Sequence, residues 1–147
     1  AGQTVVDLRV GSWSELGAQA RELRTAVFVD EQKIPLAIEM DAADETALHA
    51  VAVNRLGRVV ATGRLLPYRP GVAKIGRMAV HRILRGGHLG RQVLHALMDA
   101  ARARGDREVV LHAQRSAEGF YRRLGFGVRG EPFVEAGIDH VEMVKAL

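Results

Sequence analysis

Apolar residues recur along the chain with two periods, and the switches between them outline its elements. Thr4 to Val10 alternates, with Val6, Leu8 and Val10 on one face, which predicts a strand. Ser14 stands where it can cap a helix running to about Val29, whose apolar positions include Leu16, Ala20, Leu23, Val27 and Phe28. Pro35 marks the end of that stretch. Ala47 to Val53 and Val59 to Leu66 read as strands. The turn sequence Asn54-Arg55-Leu56-Gly57 joins them into a hairpin. Pro67 and Pro70-Gly71 predict a further turn, and Ile75 to Val80 a further strand. The clearest helix follows, opening near His88. Leu89, Val93 and Leu97, with Leu94, Met98 and Ala101, form one broad stripe, and Gly105 closes it after Arg102 and Arg104. Glu108 to Ala113 is a short apolar strand. Ala117, Phe120 and Leu124 share one face of a second short helix stopped by Gly125, which puts Tyr121 at the edge of that face. A late strand begins at Phe126, and His140 to Ala146 alternates as the closing one. The order βα–ββ–β–α–β–α–ββ predicts an α+β fold with a mixed, mostly antiparallel sheet.

The 147 residues suit one domain, and no repeat or linker divides them. With 48% hydrophobic and 26% charged residues the composition is globular rather than disordered. Aromatic residues are scarce, so the core is expected to be Leu, Val, Ile and Ala. Absence of cysteine excludes disulfides, thiol nucleophiles and thiolate zinc sites. No apolar run approaches the ~20 residues of a membrane helix. No basic-then-apolar leader is seen, so a cytoplasmic protein is expected.

Charge is uneven along the chain. Residues 1 to 45 carry a net charge of −5, Thr46 to Met98 contains nine basic residues and no acid, and the remainder is balanced. The acid-free middle suggests an anionic partner. It also motivates a rival reading as a nucleic-acid-binding domain, against which the few aromatics and the largely apolar helix count. The plain alternative is a solvated basic face.

Between the strand ending at Val80 and the helix opening near His88 lies Arg82-Ile83-Leu84-Arg85-Gly86-Gly87-His88-Leu89-Gly90-Arg91. Strand, glycine-containing loop and helix N-terminus together make a natural anion site, because first-turn amides lack partners within the helix and the dipole is positive there. No Ser, Thr, Asp or Asn stands where it would cap those amides. The loop is not a P-loop, since no Gly-Lys-Ser/Thr follows, and its glycine spacing is not that of a dinucleotide-binding fold. His81, His88 and His95 recur every seven residues, but His88 and His95 would lie ~10 Å apart on a helix, too far for one metal ion.

Met78-Ala79-Val80, Arg85-Gly86-Gly87-His88-Leu89-Gly90-Arg91 and the following long helix resemble the acyl-CoA signature of the GCN5-related N-acetyltransferases, Arg/Gln-x-x-Gly-x-Gly/Ala. Arg85 and Gly90 match, while His88 stands where the middle glycine is usual. A second signature is recognisable in Gln114, Ala117 and Phe120-Tyr121-Arg122-Arg123-Leu124-Gly125-Phe126. Arg24-Thr25-Ala26-Val27-Phe28-Val29-Asp30-Glu31-Gln32, with Pro35, Glu39, Asp41, Asp44 and His49, is similar to a bacterial subgroup. So is Phe133 with Glu135-Ala136-Gly137-Ile138-Asp139-His140 and Met143.

The resemblance implies a single acetyltransferase domain over 1–147, with six or seven strands flanked by about four helices. It implies acetyl-CoA as co-substrate, no metal, and a small amine or peptide amine as acceptor, and it leaves a homodimer open. Backbone amides around Met78, Ala79 and Val80 would pair with the pantetheine arm, Arg85 to Arg91 would hold the pyrophosphate, and Gln114 and Ala117 would complete the cofactor site. Tyr121 would protonate the leaving thiolate. Direct attack within a ternary complex needs no covalent residue, which agrees with a cysteine-free chain. Glu31, Glu39, His49, His112, Glu135 and His140 are the candidate bases, with Glu31, His49 and His140 preferred. The acids at Asp30-Glu31 and from Glu39 to Glu45, in a loop or short helix, would wall the acceptor side and attract a cationic amine. The second rival is a fold that binds acyl-CoA for regulation and does not catalyse, motivated by His88.

Overall fold

The computed structural model describes residues 6–85 and 88–147. Seven strands form one sheet: β1 (Asp7–Gly11), β2 (Leu48–Val53), β3 (Val59–Arg69), β4 (Val72–Val80), β5 (Glu108–Gln114), β6 (Gly127–Glu135) and β7 (Ile138–Ala146). Their order is β1-β2-β3-β4-β5-β7-β6, and β4 and β5 are the parallel neighbours in it. Helix α1 (Trp13–Arg24) lies against one face with the short α2 (Leu36–Glu39). Helix α3 (Leu89–Ala103) covers the other, and α4 (Glu118–Arg123) follows β5. The α+β architecture and mixed sheet are as the hydrophobic pattern predicts.

The stripe of α3 is the seed of the main core. Leu89, Val93, Leu94, Leu97 and Ala101 are buried against Ala50, Leu65, Ile75 and Leu111 of the sheet. Helix and sheet meet closely at Gly63, where a Cβ would come within 2.6 Å of Met78 Sδ and 2.9 Å of Leu97 Cδ1. On the opposite face Leu16, Ala20 and Leu23 of α1 pack on Val51, Val53 and Val59.

Four details depart from the pattern reading. The cap of α1 is Ser12 rather than Ser14, and Glu15 reaches back to accept from the Ser12 backbone N–H at 3.0 Å. The first helix stays helical to Glu31, but Thr25–Glu31 winds with the wider π pitch. β-Branched Thr25, Val27 and Val29 crowd a tighter turn, and π segments often sit at functional sites. Pro67 lies inside β3, paired with Ala73, and the chain reverses only at Pro70-Gly71, where Gly71 has φ +76°. Leu8 and Val10 are partly exposed, because β1 is an edge strand that α3 covers only in part.

The site is set by what β4 and β5 fail to do. They pair from Val72↔Glu108 to Ile75↔Leu111 and then stop. On the other side of β4 the register with β3 slips between Thr62 and Arg64, and Arg77 takes a positive φ of 54° at that bulge. Beyond Ile75 the two parallel strands diverge, and the backbone of Gly76 to Val80 faces the gap without a strand partner.

Candidate active site

A cavity of about 970 Å³ occupies the gap. One end is formed by Val80, Arg85 and the start of α3. The other is formed by Lys74, His112, Glu135 and His140, with Glu39 and Asp41 beside them. Tyr121 from α4 lines the wall between.

At the loop end His88 is the N-cap of α3. Its side chain makes no capping bond, and its φ is +67°. That left-handed backbone is the one glycine adopts freely, so histidine keeps the path of the usual glycine at a modest strain cost. Leu89, Gly90 and Arg91 therefore present first-turn amides toward the cavity with no side chain over them. Gly90 has ordinary room around it, since a Cβ would meet Phe120 and Val80 at 3.5 Å. The protein's own packing does not demand glycine there. Gly86 and Gly87 lie outside the described residues.

Arg85 lines this end but is already engaged. Its Nη1 and Nη2 donate to the two carboxylate oxygens of Glu31 at 2.7 and 3.0 Å, and Nε donates to the Val80 carbonyl at 3.1 Å. Hydrogen bonding from Arg85 holds the Glu31 carboxyl below the usual carboxylate range. Glu31 does not line the cavity. The preference for it as proton acceptor is corrected: a carboxylate held ionised by a bidentate arginine is a weak base, and it is turned to the loop residue Arg85.

His49 is corrected in the same way. It is fully buried, packs tilted against Trp13 with ring centres 4.9 Å apart, and its Nε2 donates to the Asp44 carbonyl at 2.9 Å. Burial depresses its pKa, and it has no surface on the cavity. It is a neutral core histidine.

Tyr121 sits deeper than the sequence reading had it. It is the buried residue of α4, whereas Phe120 and Leu124 are partly exposed. It meets Phe120 and Phe126 edge to face. Burial pushes its hydroxyl up to about 12, so it stays protonated at neutral pH. Met78, Ala79, Val80, Gln114 and Ala117 all line the cavity. Gln114 also spans it, donating from Nε2 to Gln32 Oε1 at 2.8 Å and so tying β5 to the end of the first helix.

Three candidate bases gather at the far end. His140 Nδ1 donates to the Ile138 carbonyl at 2.7 Å, which fixes the tautomer and leaves Nε2 with its lone pair, 3.8 Å from Glu135 Oε2. The ring stacks on Phe133. His112 Nε2 contacts Glu142 at 3.3 Å, and its Nδ1 lies 3.6 Å from Glu135 Oε1. Glu135 thus stands between two imidazoles.

Glu39 lines the cavity too, but belongs to a cluster the sequence reading missed. Arg24 Nε donates to Glu39 Oε2 at 2.9 Å, and its Nη1 to Asp44 Oδ1 at 2.7 Å. Arg64 Nη1 donates to Asp44 at 2.9 Å and to Asp41 at 2.7 Å. Arg77 Nε donates to the Glu39 carbonyl at 3.1 Å, and Nη2 to Asp41 at 3.2 Å. Arg24, Glu39, Asp44 and Arg64 are all buried. Acids of the first third are thereby neutralised by arginines, two of them from the acid-free middle. Glu39, Asp41 and Asp44 are engaged by arginines and do not form a free acidic wall for a cation. The signal was present: Arg24 interrupts the apolar stripe of α1 beside Leu23 and Val27.

No metal-binding group exists among the described residues, and no helix there is long and apolar enough to cross a membrane.

Residues 16–147 match the family model described as an acetyltransferase (GNAT) domain. A UPF0039 protein of Schizosaccharomyces pombe is 34% identical over 123 residues, which is 82% of this chain and 81% of that protein. The uncharacterised N-acetyltransferase YjcF of Bacillus subtilis is 33% identical over 124 residues, 84% of this chain and 87% of its own. The solved structure of an acyl-CoA N-acyltransferase from Pseudomonas aeruginosa superposes with a TM-score of 0.84 at 34% identity, covering 97% of this chain and 100% of that one. With a yeast protein among the relatives, the likeness is not confined to bacteria.

Proposed function

The chain belongs to the acetyltransferase (GNAT) family, and we propose that it moves an acetyl group from acetyl-CoA to a primary amine by direct attack in a ternary complex. The observation that carries this reading is the divergence of β4 and β5. It opens one cavity that joins an uncapped helix start, an unpaired strand edge, a buried tyrosine and a histidine with a free lone pair.

The loop end suits the pyrophosphate: the first-turn amides of α3 and its dipole favour phosphate oxygens. The strand edge from Met78 to Val80 suits the pantetheine amides and, at its inner end, the thioester carbonyl. An amine attacking that carbonyl forms the C–N bond and develops negative charge on oxygen. Backbone N–H groups aimed there stabilise the charge without reorganising. The nitrogen sheds one proton to His140 Nε2, directly or through a water. The C–S bond then breaks and the sulfur takes charge.

Tyr121 is the donor facing that sulfur. Near 12 its hydroxyl is a weaker acid than a thiol at the ordinary ~8.5. The same dry surroundings raise the thiolate's proton affinity, which narrows the gap. Tyr121 therefore acts chiefly by hydrogen bonding to the departing sulfur, at the low end of the ~10²–10⁴-fold usual for such catalysis.

The test combines binding with turnover. Acetyl-CoA should raise the melting temperature of the wild type. Gly90→Glu, which folds because the site has room for a Cβ, should lose that rise. Tyr121→Phe should keep the rise and lower kcat by about 10²-fold. An absent rise with millimolar acetyl-CoA, or an unchanged kcat in the phenylalanine variant, would overturn the corresponding part of this reading.

A further inference from the structure

Of the lysines and arginines lining the cavity, Arg64, Arg77 and Arg85 are paired, whereas Arg91 on α3, Arg123 on α4 and Lys74 on the sheet have no ion pair among the described residues. Arg64 and Arg77 are held by Asp41, Asp44 and Glu39, and Arg85 by Glu31. Lys74 is different. It sits on β4 at the last turn of the strand before divergence, opposite Leu66 and Val110, one residue short of the point where pairing with β5 stops. It lines the far end of the cavity and is half-buried. Among the described residues its ammonium has no hydrogen bond or ion pair, and its nearest aromatic partner is the Tyr68 ring at 5.8 Å. Burial lowers its pKa, with Glu135 and Glu142 as the attracting charges and Arg64 and Arg77 as repelling ones.

Glu135 is the mirror case. It lines the same end, and its contacts are the two imidazoles of His112 and His140, with no lysine or arginine among them in the described residues. Lysine and glutamate thus face one pocket, close enough to feel each other and too far apart to pair. For the half-buried Lys74 a charge without a partner is costly, whereas Glu135 is exposed and free to turn to a ligand; one remedy for the lysine is a ligand that brings the missing anion. A molecule with an anion and an amine a few bonds apart satisfies both groups at once.

We propose that the far end of the cavity is an amino-carboxylate site, in which Lys74 takes the carboxylate of the acceptor while Glu135 and His140 face its amine. This rests on the reading of the chain as an acetyltransferase and narrows the acceptor to a free amino acid. Anchoring the carboxylate at Lys74, where pairing of β4 with β5 is about to stop, leaves the amine to reach the strand edge, where the thioester carbonyl would lie. Arg64 and Arg77 cannot replace Lys74 as the anchor, since both are bonded to carboxylates already.

Matched acceptors test it: histidine with histamine, phenylalanine with phenethylamine, lysine with cadaverine. Each pair differs by a carboxylate. A charge-assisted contact of this kind makes kcat/KM on the order of ten- to a hundredfold higher for the amino acid of at least one pair in the wild type. Lys74→Met should bring that ratio to about one, and Lys74→Gln should do the same. A wild-type ratio at or below one in every pair, or a ratio the variants leave unchanged, overturns the proposal while transfer itself stands. A second readout does not need turnover. With CoA present, calorimetry should show the N-acetyl amino acid binding at least about tenfold more tightly than the matching N-acetyl amine, and Lys74→Met should abolish the difference. If no amine is acetylated but this preference exists and depends on Lys74, the carboxylate site stands and the transfer reading falls. Equal binding of the two acetylated compounds overturns the carboxylate site.

Discussion

The two faces of the sheet are buried by opposite means. Under α3 the contact is wholly apolar, Leu, Val and Ala against Ala, Leu and Ile, with Gly63 letting the helix come close. Under α1 the apolar patch is smaller and runs out at Arg24, where a buried group of arginines and carboxylates takes over. The apolar face tolerates sliding and repacking, since dispersion and water exclusion have little direction. The ionic face does not. Each guanidinium fits only one arrangement of its carboxylates, so the loop from Glu39 to Asp44 is pinned to β3 and β4 at the rim of the cavity. The first face supplies stability, and the second fixes the site's shape.

That contrast is broken most severely at Arg24. Arg24→Met leaves Glu39 and Asp44 buried without their main donor, and removal of one partner from such a group costs about 3–5 kcal/mol. Urea unfolding should show a loss of that size. If the variant loses less than ~1 kcal/mol, the cluster is better solvated than its burial implies.

On the apolar face the sharpest probe adds atoms. Gly63→Ala would place its Cβ within 2.6 Å of Met78 Sδ and 2.9 Å of Leu97 Cδ1. Met78 can swing, but Leu97 is locked in the core, so overpacking should cost about 1–3 kcal/mol in the same assay. Because Met78 also lines the cavity, the variant should weaken acetyl-CoA binding. A loss of stability with unaltered binding would separate the two faces more cleanly than proposed.

How far each face could be read in advance follows from the same difference. Hydrophobic periodicity finds the α3 face directly, because Leu89, Val93, Leu97 and Ala101 repeat at helical spacing. The uncapped start of α3 is legible in the missing cap residues, while Gly86 and Gly87 lie outside the described residues. Ionic pairing has no period. Arg64 meets Asp41 from 23 residues away, and Arg77 meets Glu39 across 38, so charge counts by region looked like two unlike surfaces. The structure turns much of that imbalance inward. Lys74 is invisible in the sequence for the complementary reason: only the positions of the acids show which cations are left without one.

The ionic face also carries a pH signature that the apolar face lacks. His49 titrates at 6.5 when exposed and lower in the fold, because burial disfavours its charged form. The folded state therefore binds fewer protons than the unfolded one near that pH. His49's contribution is fully present above 6.5 and is lost as pH falls below it. Asp41 is held down by hydrogen bonds from Arg64. Asp44 is held down by Arg24 and Arg64, which outweigh the opposing effect of its burial. Both act in the same direction but only as pH approaches their unfolded value of 3.8. Stability measured from pH 7 to 5 should thus decline in the wild type and decline less in His49→Gln. Parallel profiles would remove His49 from the account.

The gentlest test keeps the chemistry and changes only burial. Glu31 and Arg85 form a bidentate pair as short as any in the cluster, at 2.7 and 3.0 Å, but with side chains 32% and 40% exposed. Water and salt screen such a pair, and holding two long side chains together costs entropy, so pairs of this kind are worth about 0–1 kcal/mol. Glu31→Gln should therefore shift unfolding by less than ~1 kcal/mol. The shift should shrink further as salt rises from 0.1 to 1 M, where the screening length falls from about 10 to about 3 Å. The loss caused by Arg24→Met should hardly respond to the same salt, because no ions reach that cluster. Equal salt dependence in the two variants would mean that burial is not what separates them.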